Sequence, residues 1–235
     1  MLWKKSWEPE AVLALIGGVM ASLFLGAVTL GLLRHAEVAG FHTDLSLGTI
    51  LVGTLSFQGT AILLGIWFLK DQQTSWAEVL GPTPWLRCLG LAAAALLIAL
   101  PIMRGLQLAS GLLLQKLGLP IEDELAVKMV AGSQAWVRAY LSFFAVVLAP
   151  MAEEFFFRGV LFSTAKRYGW TKTGWIGVSF LFALVHANLQ AFLPLFLLAL
   201  ALTWLYEKTG GLLAPMLAHS LFNTANLILL CLQSP

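Results

Sequence analysis

EEFFFRG, residues 153–159, sets Glu153, Glu154 and Arg158 around three phenylalanines. FLFALVHAN ends an apolar run on His186, and LAHSLFNTAN places His219 four residues before Asn223. These residue types suit hydrolysis. A glutamate or histidine can take a proton from water as general base, and an imidazole with a carboxamide can donate hydrogen bonds to a developing oxyanion. Two histidines and a glutamate also form a ligand set used by catalytic zinc. The residues do not choose between a free activated water and one bound to a divalent metal such as Zn.

Helical geometry separates the two acids. Glu154 and Arg158 are i,i+4 and share a face, with the acid N-terminal in the favourable order. Glu153 is five residues from Arg158, about 140° around a helix. Arg158 then neutralises Glu154 and leaves Glu153 free to point elsewhere; the open alternative is that both acids are structural and share Arg158. His219 and Asn223 are also i,i+4, with Asn226 a turn further along. His186 or His219 singly reads as a satisfied core residue. His35 and His42 stand in a loop among other polar residues, which explains them fully.

The elements that must position these groups follow from composition. Of 235 residues 59% are hydrophobic and 11% charged, against about 25% charged in soluble domains, and mean hydropathy is +0.85. The chain is therefore expected to be all-α, a polytopic transmembrane bundle of about seven to eight helices with the polar site inside the C-terminal helices. Crossing a bilayer takes about 20 apolar residues. Runs of that kind cover Ala11–Leu33, Leu47–Leu69, Trp85–Ile102, Gln134–Phe162, Trp175–Asn188, Gln190–Tyr206 and Leu212–Leu232, two of them short. The first is too long for a signal-peptide core and lacks a small-residue cleavage site, so it reads as a retained helix. GLQLASGLLLQKLGLP, residues 105–120, is either a helix at the membrane interface or a tilted extension of the third span. Residues 1–235 read as a single integral membrane domain, with 134–232 carrying the polar motifs.

A carboxylate at mid-membrane costs roughly 2.5–3.5 kcal/mol on insertion scales, so an intramembrane acid is a functional candidate with a partner. Pro150, three residues before Glu153, is expected to kink or restart its helix and free backbone groups toward a polar cavity. Three neighbouring spans each bring polar groups to membrane depth, and that convergence favours a site over three independent helix pins. Lys4/Lys5, Lys70 with Arg87, Lys166/Arg167/Lys172 and Lys208 fall on one side if the N-terminus is cytoplasmic; Arg34, Arg104 and the acidic Glu122-Asp123-Glu124 patch fall on the other. The net charge of +2 is scattered at helix ends and gives no reason to expect nucleic acid as a partner. Cys88 and Cys231 read as two buried packing cysteines.

EEFFFR fits Glu-Glu-x-x-x-Arg, FALVH fits Phe-x-x-x-His, and HSLFN fits His-x-x-x-Asn. In that order, over about 70 residues from Glu153 to Asn223, they resemble the CPBP family of intramembrane proteases, the group of type II CAAX-prenyl endopeptidases and bacteriocin-processing or bacteriocin-immunity proteins. The resemblance implies that Glu153 and His186 activate the attacking water. It implies that His219 and Asn223 form the oxyanion hole, that Glu154 and Arg158 support the arrangement, and that Phe182 packs. Membrane proteins or lipidated peptides are the substrates expected, in a site expected to open toward the cytoplasmic half. The 130 residues before the motifs match only as apolar helices.

Other classes fit less well. There is no HExxH for a zincin. Ser179 and His186 are seven apart on one helix, too far for the direct Ser–His bond of a serine peptidase. A transporter would be expected to show repeat symmetry, whereas the motifs cluster in one half. The expectation is an intramembrane endopeptidase in a bacterial plasma membrane; the alternative is a non-catalytic membrane binding or immunity protein that keeps the protease fold.

Overall fold

The structure is a computed structural model and describes residues 7–43, 46–120 and 135–233. Lys4/Lys5, Asp44, Gln134 and the acidic patch Glu122-Asp123-Glu124 lie outside the described residues. The chain runs through α1 (Pro9–His35), α2 (Leu47–Asp71), α3 (Trp76–Leu80), α4 (Trp85–Lys116), α5 (Val137–Arg167), α6 (Thr171–Val185), α7 (Leu189–Thr209) and α8 (Leu213–Gln233). No strand occurs among the described residues. Six of the helical stretches are long and apolar enough to cross a bilayer, and α6 is a shorter apolar helix. The protein is an integral membrane helical bundle.

Lipid and protein divide the apolar surface between them. Leu13, Phe24, Leu63, Leu97 and Ile98 point outward and are each more than two-thirds exposed, which hydrocarbon tolerates and water would not. α5 is the central element: 56% of its apolar stretch is buried, against 22% for α1. Its three phenylalanines explain this. Phe155 meets Phe68 of α2, Phe156 meets Phe57 of α2, and Phe157 meets Phe182 of α6, all edge-to-face. The motif thus joins the N-terminal helices to the C-terminal ones. Trp7 adds a polar tie, its indole N–H donating to Ser163 Oγ at 2.9 Å at the far end of α5.

One close approach requires glycine. α7 ends in Gly210 at φ 74°, and the next residue packs backbone to backbone against the turn after α3, where Gly81 has φ 92°. A Cβ on Gly211 would collide with the Leu80 carbonyl oxygen. The amide of Leu212 donates to Val79 O at 2.9 Å, so the contact also satisfies a backbone donor.

Two open readings are decided and one expectation changes. Residues 105–116 continue α4 through Pro101 as one helix of 32 residues ending at Lys116, so the extension is realised and a separate interfacial helix is not. The apolar stripe Leu106–Leu117 alone could not decide this, because lipid and neighbouring helices satisfy the same side chains. Pro150 does not end α5: Phe144–Leu148 widen into a π-helical turn, and an α-helical segment restarts at Ala149 with Pro150 in its first turn, within one continuous stretch. Cys88 is buried as expected, but Cys231 is exposed on α8, where an apolar environment is supplied by lipid instead of packing.

Candidate active site

Pro150 determines where Asn223 goes. In the wide turn the amide of Ala149 reaches back five residues to Phe144 O. In that register the donor for Ala145 O would be residue 150, and proline has no N–H. The carboxamide of Asn223 fills the gap, its Nδ2 donating to Ala145 O at 2.7 Å. One polar residue of α8 therefore pins α5 just above its two glutamates.

Glu154 and Arg158 pair as their spacing implies. Arg158 Nη1 lies 2.9 Å from Glu154 Oε1, with both side chains fully buried. A buried guanidinium needs all its donors met. Here Nη2 donates to Ala199 O at 3.0 Å, Nε to Thr203 Oγ1 at 3.4 Å, and the plane lies 4.8 Å above the Phe182 ring. Thr203, Ala199 and Phe182 come from other helices, and sequence spacing within α5 carried no sign of Thr203 or Ala199. A threonine in an apolar span was the available signal.

His219 enters between the two acids. Its Nδ1 lies 2.9 Å from Glu154 Oε1, the same oxygen that receives Arg158, and its Nε2 lies 3.9 Å from Glu153 Oε2. Glu154 thereby fixes the ring and turns Nε2 toward Glu153, the arrangement by which a carboxylate orients a working imidazole. Glu153 is buried, and its Oε2 has no hydrogen-bond partner among the described residues.

Glu153 also faces a cleft of about 420 Å³ bounded by α1, α2, α5 and α6. His186 lines the same cleft at the end of α6. Its Nδ1 engages Phe182 O at 2.7 Å, and its ring packs 4.8 Å from the Phe182 ring. A tight turn holds it there: Ala187 has φ 50° and Asn188 caps α7 by accepting from the Ala191 amide. A non-glycine residue at positive φ is uncommon, and such strain gathers at functional sites. Phe182 contacts His186, His219 and Arg158, so the expected packing residue is the hub on which all three are set.

The described residues include no cluster of three His, Cys, Asp or Glu side chains able to hold a metal ion. The donor set does not form the zinc site that the residue types allowed. Ser179 is fully buried with no hydrogen-bond partner among the described residues, so it does not pair with His186 on α6. Gln58, from α2, is a polar group of the cleft that the sequence reading missed.

Residues 135–225 match the family model described as type II CAAX prenyl endopeptidase Rce1-like. An uncharacterized 24.3 kDa protein of Escherichia coli is 37% identical over 89 residues, covering 35% of this chain and 40% of that protein. UPF0177 protein YxdF of Lactococcus lactis subsp. lactis (strain IL1403) is 31% identical over 78 residues, covering 33% of this chain and 42% of that one. The matched stretch thus spans about two-fifths of each curated relative. No solved structure matches the chain. The match, confined to residues 135–225 of this membrane protein, supports the CPBP resemblance drawn from the three motifs.

Proposed function

We infer that the protein is an intramembrane endopeptidase that hydrolyses peptide bonds of membrane-associated substrates. The observation that carries this reading is Glu153: a buried carboxylate with an unpartnered Oε2, facing a cleft and 3.9 Å from an oriented histidine nitrogen.

In this reading Glu153 and His186 bind a water in the cleft, and Glu153 takes its proton as the water oxygen attacks the peptide carbonyl carbon. Negative charge develops on the carbonyl oxygen. His219 through Nε2 and the remaining N–H of Asn223 donate to that oxyanion, both held in advance by Glu154 and Ala145. The C–N bond then breaks, and Glu153 returns the proton to the departing amine. Two carboxylates share one guanidinium here, so a second ring proton on His219, at Nε2, makes the buried cluster neutral, supplies the oxyanion donor and leaves Glu153 free to act as base. The whole chain acts as one membrane unit, its N-terminus in the cytoplasm and its site open to the cytoplasmic half of a bacterial plasma membrane.

The substrate class is tested by reconstituting the protein in liposomes with a C-terminally farnesylated CAAX peptide. Release of the C-terminal tripeptide by wild type and not by Glu153→Gln is expected. Equal release by both would contradict the role of Glu153, and release by neither would remove prenylated CAAX peptides as the substrate class.

A further inference from the structure

Gln58 is the polar residue of the cleft that none of the three motifs contains. It stands on α2, outside the stretch that matches the family, in the π-helical turn Leu55–Gly59. It lines the cleft with Glu153 and His186, and the rest of that lining is apolar. Its carboxamide is half-buried and has no hydrogen-bond partner among the described residues.

The turn that carries it is tied on both sides. Phe57 packs edge-to-face on Phe156 of α5 with ring centroids 6.1 Å apart. Ser56 Oγ bonds back to Val52 O at 2.6 Å, and Thr60 Oγ1 pairs with Ser22 of α1 at 2.7 Å. The neighbours of Gln58 are therefore committed to packing or to α1, and a wide turn of this kind recurs at functional sites because it re-aims side chains. An unpartnered amide in an apolar cleft at membrane depth costs free energy until something bonds it. The group best suited is an extended peptide backbone, since a carboxamide offers one acceptor and two donors that match a peptide C=O and N–H.

Resting on the protease reading, we propose that Gln58 is a substrate-positioning residue that hydrogen-bonds the substrate backbone in the cleft, equally before and during attack, and so holds the chain within reach of Glu153. The N-terminal helices then supply part of the substrate site, which the family-matched stretch alone would lack.

The test uses the full chain in cells, comparing membrane-protein termini by mass spectrometry for wild type, Glu153→Ala, Gln58→Leu and Gln58→Met at matched abundance and melting temperature. A synthetic peptide spanning the strongest Glu153-dependent cleavage then gives KM and kcat in proteoliposomes. Loss of one neutral hydrogen bond predicts a rise in KM of about five- to tenfold in both Gln58 variants, with kcat within about twofold. Wild-type KM in both variants, or a fall in kcat at unchanged KM, would overturn the positioning role while the protease reading stands. Absence of any Glu153-dependent terminus would overturn the protease reading and this inference together.

Discussion

Glu154 Oε1 accepts from Arg158 on its own helix and from His219 on α8, each at 2.9 Å. One oxygen therefore joins the charge balance of the bundle to the orientation of a candidate catalytic ring. Removing Arg158 should act on both. Arg158→Ala leaves a fully buried carboxylate without its cation and should cost about 3–5 kcal/mol. It should be read as a large drop in membrane-inserted protein and melting temperature. Glu154→Gln combined with Arg158→Met, which removes both charges, should recover much of that loss; equal loss in the single and double variants would contradict the pairing.

Asn223 and Pro150 should be coupled. Asn223→Ala leaves the Ala145 carbonyl without a donor, at a cost of about 1–3 kcal/mol. Pro150→Ala restores a backbone N–H, so the stability cost of Asn223→Ala should shrink by about 1 kcal/mol in that background, while proteolysis should not return. A melting-temperature double-mutant cycle that closes additively would contradict the substitution of side-chain donor for backbone donor.

Much of the site was legible along the chain and little of it across the chain. The Glu154–Arg158 pair followed from i,i+4 spacing, and the placement of Glu153 on a different face followed from the same geometry. The approach of His219 to Glu154, 65 positions apart, depended on how α8 packs on α5, which no local pattern encodes. Pro150 carried a readable signal, a missing donor, and the expected kink or restart takes the form of a π-helical turn followed by a fresh α-helical turn; the donor that α8 supplies was not readable locally. Gln58 has no charged residue or histidine at helical spacing to mark its face, although an unpaired amide is also costly at membrane depth. The six long spans and the shorter α6 were evident as apolar runs, whereas the join of residues 105–116 to α4 was not, since an apolar stripe is indifferent to what covers it.

His219 should be more than an oxyanion donor. Because Nδ1 bonds Glu154, His219→Ala should lower stability by about 1.5–3 kcal/mol, the range for a hydrogen bond to a charged group, as well as abolish turnover. His186→Ala, whose recorded bond is to a carbonyl of its own helix, should remove turnover with a smaller effect on melting temperature. The reverse ranking would contradict the assigned contacts.

Gly211→Ala should be severe although it lies away from the site. Its Cβ would meet the Leu80 carbonyl oxygen and the Gly81 backbone, neither of which can rotate aside. The expected result is a loss of folded protein comparable to that of Arg158→Ala, measured as the fraction surviving detergent extraction; normal yield would show that the α3–α7 contact gives way.

The central claim is that Glu153 drives peptide-bond hydrolysis in the membrane. The most direct measurement compares membrane-protein N- and C-termini by mass spectrometry in cells carrying wild type or Glu153→Gln at matched abundance. Termini present with wild type and absent with the variant are the expected result and would name the substrates. Identical termini in the two, with both proteins folded in the membrane, would contradict the catalytic role and leave a non-catalytic membrane binding protein as the reading of this site.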